Sequence, residues 1–361
     1  MKPHYGTTWD ELELTPRHTS WQMLRALRHD PPRQAADDPA RRAMFSAALE
    51  QSEQFFRAAE ASDVDTRPLL LFYGLSQSGR ALRAAADPED RWARAGGHGL
   101  RVDGETVDGQ LSSTLVADQG KGLFRDVART LNRASLPVAQ SVGALTRLGR
   151  LGSRFALPGY EPDYGPLVLT TDGLGPLDLA RTNLRAELSV PAGLWARELP
   201  EVGVRTTSDY NAYKEHVRAR LAHYPTLSEA RLVERGLGHF DLGGVGANRT
   251  VPLEWPTRPH PGVDEVDVAL APFGDGDGRD VTVYPSVPGS DLAAHPYLLW
   301  WAVLYVMSHF VRYEPTRWAQ IIDIDRSAEG AAVEYLCRQA LDVLPELIHR
   351  TLTRPMPSAD Q

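Results

Sequence analysis

Residues 40–60, ARRAMFSAALEQSEQFFRAAE, carry Phe45, Leu49, Phe56 and Ala59 at helical spacing. Arg42, Glu50, Glu53, Arg57 and Glu60 lie largely off that stripe, so the segment is expected to be an amphipathic helix. Residues 69–86 are apolar on more than one side, which predicts a helix buried centrally. A third helix is expected in LFRDVARTLNRA (123–134), ending before Pro137. The pattern then changes. PLVLTTDG (166–173) and RAELSVPAG (185–193) read as strands bounded by Gly and Pro, and SDYNAYKEHVRARLAHYP (208–225) as a helix with Ser208 or Asp209 at its cap. DEVDVALAPFGDGDGRDVTVYP (264–285) has alternating apolar residues around a Gly/Asp turn, the pattern of a hairpin. Helical pattern returns at 292–313 and at about 329–352, where Pro345 is expected to kink the last helix or begin a new one.

This order predicts an α+β protein with a mainly helical core formed by the N- and C-terminal segments around a mixed, β-rich insert. The expected divisions are an N-terminal arm over 1–37, a helical segment over 38–158, the insert over 159–290, C-terminal helices over 291–355 packing with the first helical segment, and a tail over 356–361.

Composition narrows the class. The hydrophobic fraction of 42% and charged fraction of 24% are those of a globular chain. Cys337 is the only cysteine, so no internal disulfide and no cysteine-rich zinc cage can form. The most apolar run, PYLLWWAVLYVMSHFV (296–311), would extend about 24 Å as a helix, short of a bilayer core of roughly 30 Å. With no basic-then-apolar leader pattern at the N-terminus, the expectation is a cytoplasmic protein with no membrane partner. The formal charge of −8 argues against a general nucleic-acid coat protein. Its distribution is uneven, since Lys121 to Arg154 holds seven basic residues against one acid, Asp126.

The stretch GLSQSGRA (74–81), after PLLLFY, raises the question of chemistry. Against the phosphate-binding loop G-x-x-x-x-G-K-[ST], the glycines fit, but Arg80 replaces the lysine and Ala81 the hydroxyl that holds Mg²⁺. Against the nucleophile elbow G-x-S-x-G, Ser78 stands where the second glycine belongs. A helix accounts for more. Tyr73, Gln77 and Arg80 then fall at i, i+4 and i+7, a polar line on an apolar rod, and the small residues let neighbouring helices approach closely. That line is either a hydrogen-bonded seam between helices or the wall of a site.

At this point a resemblance becomes specific. ALEQSEQFFRAAEASDVDTRPLLLFYGLSQSGRALRAA followed by GGHGL, and HPYLLWWAVLYVMSHFVRYEPTRWAQIID followed by YLCRQALDVLPELI, resemble the two signature blocks of the YaaC-like bacterial family. The resemblance implies a bacterial protein and fixes no reaction. The combination of RAL, a short gap and HGL is also similar, more weakly, to HEPN nucleotide-binding helical domains, some of which are metal-independent RNases with an Arg-x4–6-His motif. Arg94 to His98 and Arg235 to His239 each have three intervening residues and miss that spacing.

Several other residues could carry chemistry. His98, between glycines, is a candidate acid/base or ligand, or a turn histidine capping backbone. His239 and Asp241 give two legs of a metal site without a third, and no H-E-x-x-H pattern appears, so no metal and no cofactor is expected. FGDGDGRD (273–280) has Arg279 where a calcium loop needs an oxygen ligand, and reads as a turn. Gly120, Lys121 and Gly122 precede a helix with Arg125, Arg129 and Arg133 on one face. This could collect phosphate through backbone N–H groups and the helix dipole, or form a solvated arginine face. HFVRYEPTRW joins His309, Arg312 and Arg317 to Tyr313 and Trp318, suited to a structural corner or to base stacking.

The resulting expectation is a polar pocket of Tyr73, Gln77, Arg80, His98, Lys121 and Arg125 taking a nucleotide or RNA, or a protein partner. Two alternatives remain. One is a divergent HEPN-type RNase with His98, His309 and Arg312 as catalytic candidates, and the other is a structural subunit of a larger complex.

Overall fold

The computed structural model describes residues 17–87, 92–93, 96–103, 109–157, 165–171, 183–190, 215, 218–228, 230–232, 249–256 and 280–353. The chain divides into two compact units, one drawing on both ends of the sequence (Met1–Pro162 and Val287–Gln361) and one comprising Asp163–Ser286.

The first unit is built on helices. α1 spans Arg17–His29, α2 Gln34–Asp37 and α3 Pro39–Glu60. Asp38 caps α3, its carboxylate accepting from the Ala40 and Arg41 amides at 2.8 and 3.2 Å, and Pro39 supplies a preset first turn. The expected stripe of Phe45, Leu49, Phe56 and Ala59 is buried. α4 spans Arg67–Ala86, a single helix through the glycine-rich stretch. α5 (Leu123–Thr130) and α6 (Val142–Leu148) are short, and the C-terminal part supplies α7 (Pro296–Tyr313), α8 (Pro315–Ile322) and α9 (Gly330–Thr353). α9 continues through Pro345, which removes one helical donor without ending the helix.

α1 lies within the N-terminal stretch read as an arm, and it is tied to α3 and α9. Arg17 pairs with Glu60, Arg25 with Glu53, and the Ser20 hydroxyl donates to Glu346 at 3.1 Å. A small antiparallel sheet that the apolar pattern does not predict completes this unit. Its order is β1 (Leu100–Asp103), β2 (Leu115–Asp118) and β3 (Gln140–Ser141).

α4 is the helix around which this unit packs. It touches α2, α3, α5, α7 and α9, and thirteen of its residues are buried, including Gly74, Ser76, Ser78 and Gly79. A Cβ on Gly74 would lie 2.7 Å from the Phe56 ring, and one on Gly79 2.5 Å from the Trp301 ring. The glycines thus let α3 and α7 press directly on the α4 backbone, which offsets their poor helix propensity. Polar atoms stitch the contacts. The Ser52 hydroxyl donates to the Gly74 carbonyl at 2.8 Å, and the Tyr297 hydroxyl meets the Leu75 carbonyl at 3.0 Å and the Ser78 hydroxyl at 2.7 Å. The fold class is α+β with helix dominant.

The second unit holds a five-stranded antiparallel sheet of order β6-β7-β5-β4-β8. β4 is Leu167–Thr171, β5 Asn183–Val190, β6 Arg231–Leu232, β7 Arg249–Pro256 and β8 Asp280–Val283. β4 falls within the first expected strand, and β5 overlaps the second, starting two residues before it. β8 belongs to the expected 264–285 hairpin, but its partner is β4, with Leu167 opposite Val283. Residues 264–279 lie outside the described residues, and of the expected 208–225 helix only 215 and 218–221 are described as helical. Among the described residues no helix is long and apolar enough to cross a membrane.

Candidate functional site

α4 and α7 run antiparallel, because Phe72 meets Tyr305 at 5.6 Å between ring centroids while Gly79 meets Trp301 further along. Each helix carries a polar line at the same spacing. On α4 it is Tyr73, Gln77 and Arg80, all half-buried, and on α7 it is Tyr305, His309 and Arg312. The second line is hidden in sequence because Tyr305 sits inside the most apolar run of the chain.

His98 is delivered to these helices by the glycine loop before β1. Its ring contacts Phe72 edge-on at 5.0 Å, Tyr73 at 6.2 Å and Tyr305 at 6.4 Å. Burial lowers its pKa below 6.5, and the Arg312 and Arg80 guanidinium groups push it in the same direction. Burial and the two guanidinium charges thus both favour the neutral imidazole. Burial also raises the pKa of the Tyr305 phenol, with Arg312 opposing and Tyr313 adding to that shift.

Two arginines three residues apart on α4 differ sharply. Arg83 is 2% exposed and held by carboxylates, with Asp87 at 3.1 Å and Asp126 at 3.3 Å. Arg80 makes no ion pair or hydrogen bond among the described residues, and its Nε is buried without a partner. It borders a small surface cleft lined also by Met44, Arg83, Trp92, Ala93, Gly96 and Leu123. A buried guanidinium N–H without an acceptor is costly unless something supplies one. Gln77, one turn earlier, is half-buried.

Lys121 and Arg125 are placed differently from that cluster. The loop of Gly120 to Gly122 is pressed on the 97–99 loop, so closely that a Cβ on Gly122, at φ 101°, would sit 2.7 Å from the Gly97 carbonyl oxygen. The first amides of α5 are already engaged. Leu123 N–H donates to the Gly97 carbonyl at 2.9 Å and Phe124 N–H to the His98 carbonyl at 3.1 Å. Those donors position His98 instead of reaching a phosphate, which departs from the helix-terminus reading of this loop. The Lys121 and Arg125 side chains are exposed, Arg125 lying 4.0 Å from Asp118.

The HFVRYEPTRW segment divides in two. Trp318 is buried at 3% exposure, its indole N–H donating to the Asp65 carbonyl at 3.0 Å, which makes it a structural corner. Arg312 is held by the Ser308 carbonyl at 3.0 Å and hydroxyl at 3.4 Å, with its guanidinium 5.8 Å from the Phe72 ring and 4.9 Å from Tyr313. His309 lies 3.6 Å from Glu314. Burial lowers its pKa, Glu314 pulls the other way, and Arg312 lowers it further.

The remaining candidates add nothing to this cluster. Cys337 is buried, and burial pushes its thiol up to about 12, so it is a packing residue and not a nucleophile. Among the described residues no group of three or more His, Cys, Asp or Glu could hold a metal ion. Arg94, Arg235, His239, Asp241 and the 273–279 turn lie outside the described residues.

The cluster is assembled from the two segments quoted for the family resemblance, α4 with the His98 loop from one and α7 from the other. Comparison with curated proteins finds no match, and neither does comparison with solved structures. A family model described as YaaC-like protein matches residues 17–144 and 214–352, well over half of the sequence. The chain belongs to the YaaC-like family.

Proposed function

We propose that this YaaC-like protein binds a phosphate-bearing ligand, a nucleotide or RNA end, at the cleft bordered by Arg80, beside His98 and Arg312. The observation that carries the reading is the unpaired Arg80 guanidinium, with a buried Nε, on the same helix as an Arg83 fully engaged by carboxylates. An anion in the cleft is an acceptor for the Arg80 Nη groups, which can meet phosphate oxygens in two parallel bonds. Tyr73, two turns before Arg80 on α4, and the His98 and Tyr305 rings form a neighbouring cluster with further donor groups.

Calorimetric titration with AMP and with inorganic phosphate tests the proposal. Arg80→Ala is expected to weaken both by about 10- to 100-fold, the value of a charge-assisted hydrogen bond. Wild-type protein that binds neither compound at millimolar concentration contradicts the reading.

One observation favours a second reading, metal-independent RNA cleavage. Burial, with the Arg312 and Arg80 charges, lowers the His98 pKa, as suits a base near a charge stabiliser. Incubation of labelled RNA with the wild type and with His98→Ala separates the two readings, since absence of cleavage by the wild type removes the second alone.

A further inference from the structure

We infer that Trp92 is the surface on which a nucleobase stacks, so that the ligand of the Arg80 cleft is a nucleoside phosphate. The inference rests on the phosphate reading and names the remainder of the ligand. Trp92 and Arg80 line the same cleft, so a single ligand reaches both. The half-buried indole lies under the Arg41 guanidinium, which is 5.2 Å from the ring centroid. Arg41 is only 6% exposed, and its Nη1 donates to the Asp87 carbonyl at 2.8 Å and to the Ala84 carbonyl at 3.3 Å, where α4 ends. That anchored cation holds one side of the indole before any ligand arrives, which lowers the ordering cost of binding.

The rest of the lining fits an anion joined to a planar ring. Met44, one turn after Arg41 on α3, adds apolar surface together with Ala93 and Leu123. Of the two arginines in the lining, Arg83 is taken up by Asp87 and Asp126, which leaves Arg80 as the lining cation with no acceptor among the described residues. The cleft is small, so the phosphate enters it and the base lies against the solvent-facing part of the indole. Stacking there is tolerant of sequence, because every nucleobase has a π-face. A sugar phosphate uses the cation and leaves the aromatic wall unused.

The experiment compares AMP with ribose 5-phosphate by calorimetry on wild type, Trp92→Ala, Trp92→Phe and Arg80→Ala, with thermal unfolding as the folding control. In the wild type AMP is expected to bind about tenfold more tightly than ribose 5-phosphate, a modest stacking contribution. Trp92→Ala should remove that difference while leaving ribose 5-phosphate affinity unchanged, whereas Arg80→Ala should weaken both compounds and keep their ratio. AMP should also quench tryptophan emission in the wild type, and that quenching should vanish in Trp92→Phe although AMP still binds. A 5′-phosphorylated tetraribonucleotide that binds more tightly than AMP identifies an RNA end as the ligand, and one that binds no better identifies a free nucleotide. Equal wild-type affinities for AMP and ribose 5-phosphate overturn the role of Trp92 and leave the phosphate site standing. So does an AMP preference that survives in Trp92→Ala. If neither compound binds the wild type, the phosphate reading and the stacking surface fall together.

Discussion

Replacing Glu329 by alanine should lower the unfolding free energy by about 3 to 5 kcal/mol, because two buried backbone donors lose their acceptor. The Glu329 side chain accepts from the Leu111 amide at 2.6 Å and from the Ser112 amide at 2.8 Å, and all three residues are buried. Those contacts join positions more than two hundred residues apart, where the loop before β2 meets the start of α9. The neighbouring chain depends on that loop, since Gly143 N–H donates to the Ser112 carbonyl and Val142 N–H to the Thr114 carbonyl, both at 2.9 Å. No other acceptor is paired with the two amides among the described residues, so the alanine variant leaves both desolvated. Glu329→Gln retains one acceptor and should recover part of the loss. Urea unfolding of the three proteins measures the effect, and an alanine variant within 1 kcal/mol of the wild type would contradict the role of this carboxylate.

Gly79→Ala should be the next most costly change, at about 2 kcal/mol. Inside a helix, alanine is favoured over glycine by about 1 kcal/mol, so the propensity argument alone predicts stabilisation. Packing reverses the sign. The new Cβ would fall 2.5 Å from two carbons of the Trp301 ring and 3.3 Å from Val127, and Trp301 is itself fully buried against α4. Relieving that overlap requires the buried Trp301 ring, or α7 with it, to shift away from α4, and overpacking of this kind costs about 1 to 3 kcal/mol. Gly97 is the internal control, having nothing within 4 Å of a Cβ, so Gly97→Ala should change stability by less than about 0.5 kcal/mol. The same urea unfolding series checks both. A stabilised Gly79→Ala protein would mean that the helices do not approach as described.

The long helices were legible because burial leaves a readable period over many turns. α3, α4, α7 and α9 each start within about four residues of where the apolar pattern places them. The rejection of a phosphate loop and of a nucleophile elbow at residues 74–81 agrees with α4, where both glycines serve helix packing. The three-stranded sheet was not legible. Its strands have four, four and two residues, too few for alternation to stand out. α1 was missed although Trp21 and Leu24 are buried, since its stripe is short and lies in a strongly charged segment.

For the candidate site, sequence spacing gave the Tyr73, Gln77 and Arg80 line and singled out His98 and Arg312. That His98 lies against Tyr305 and senses Arg312 depends on how α4 and α7 cross, which no local pattern encodes. That the first α5 amides are already engaged was not legible for a similar reason, since their acceptors come from a loop more than twenty residues earlier.

The central claim is that His98 stands beside a positive, anion-seeking cleft, and NMR titration of its imidazole addresses this most directly. In the ligand-free protein its pKa should fall below 6.5, as burial with Arg312 and Arg80 demands. An anion held next to it stabilises the imidazolium, so saturating AMP should raise that pKa, and by linkage AMP should bind more tightly as the pH falls through it. A His98 pKa at or above 6.5 in the free protein, unmoved by AMP, would contradict the account.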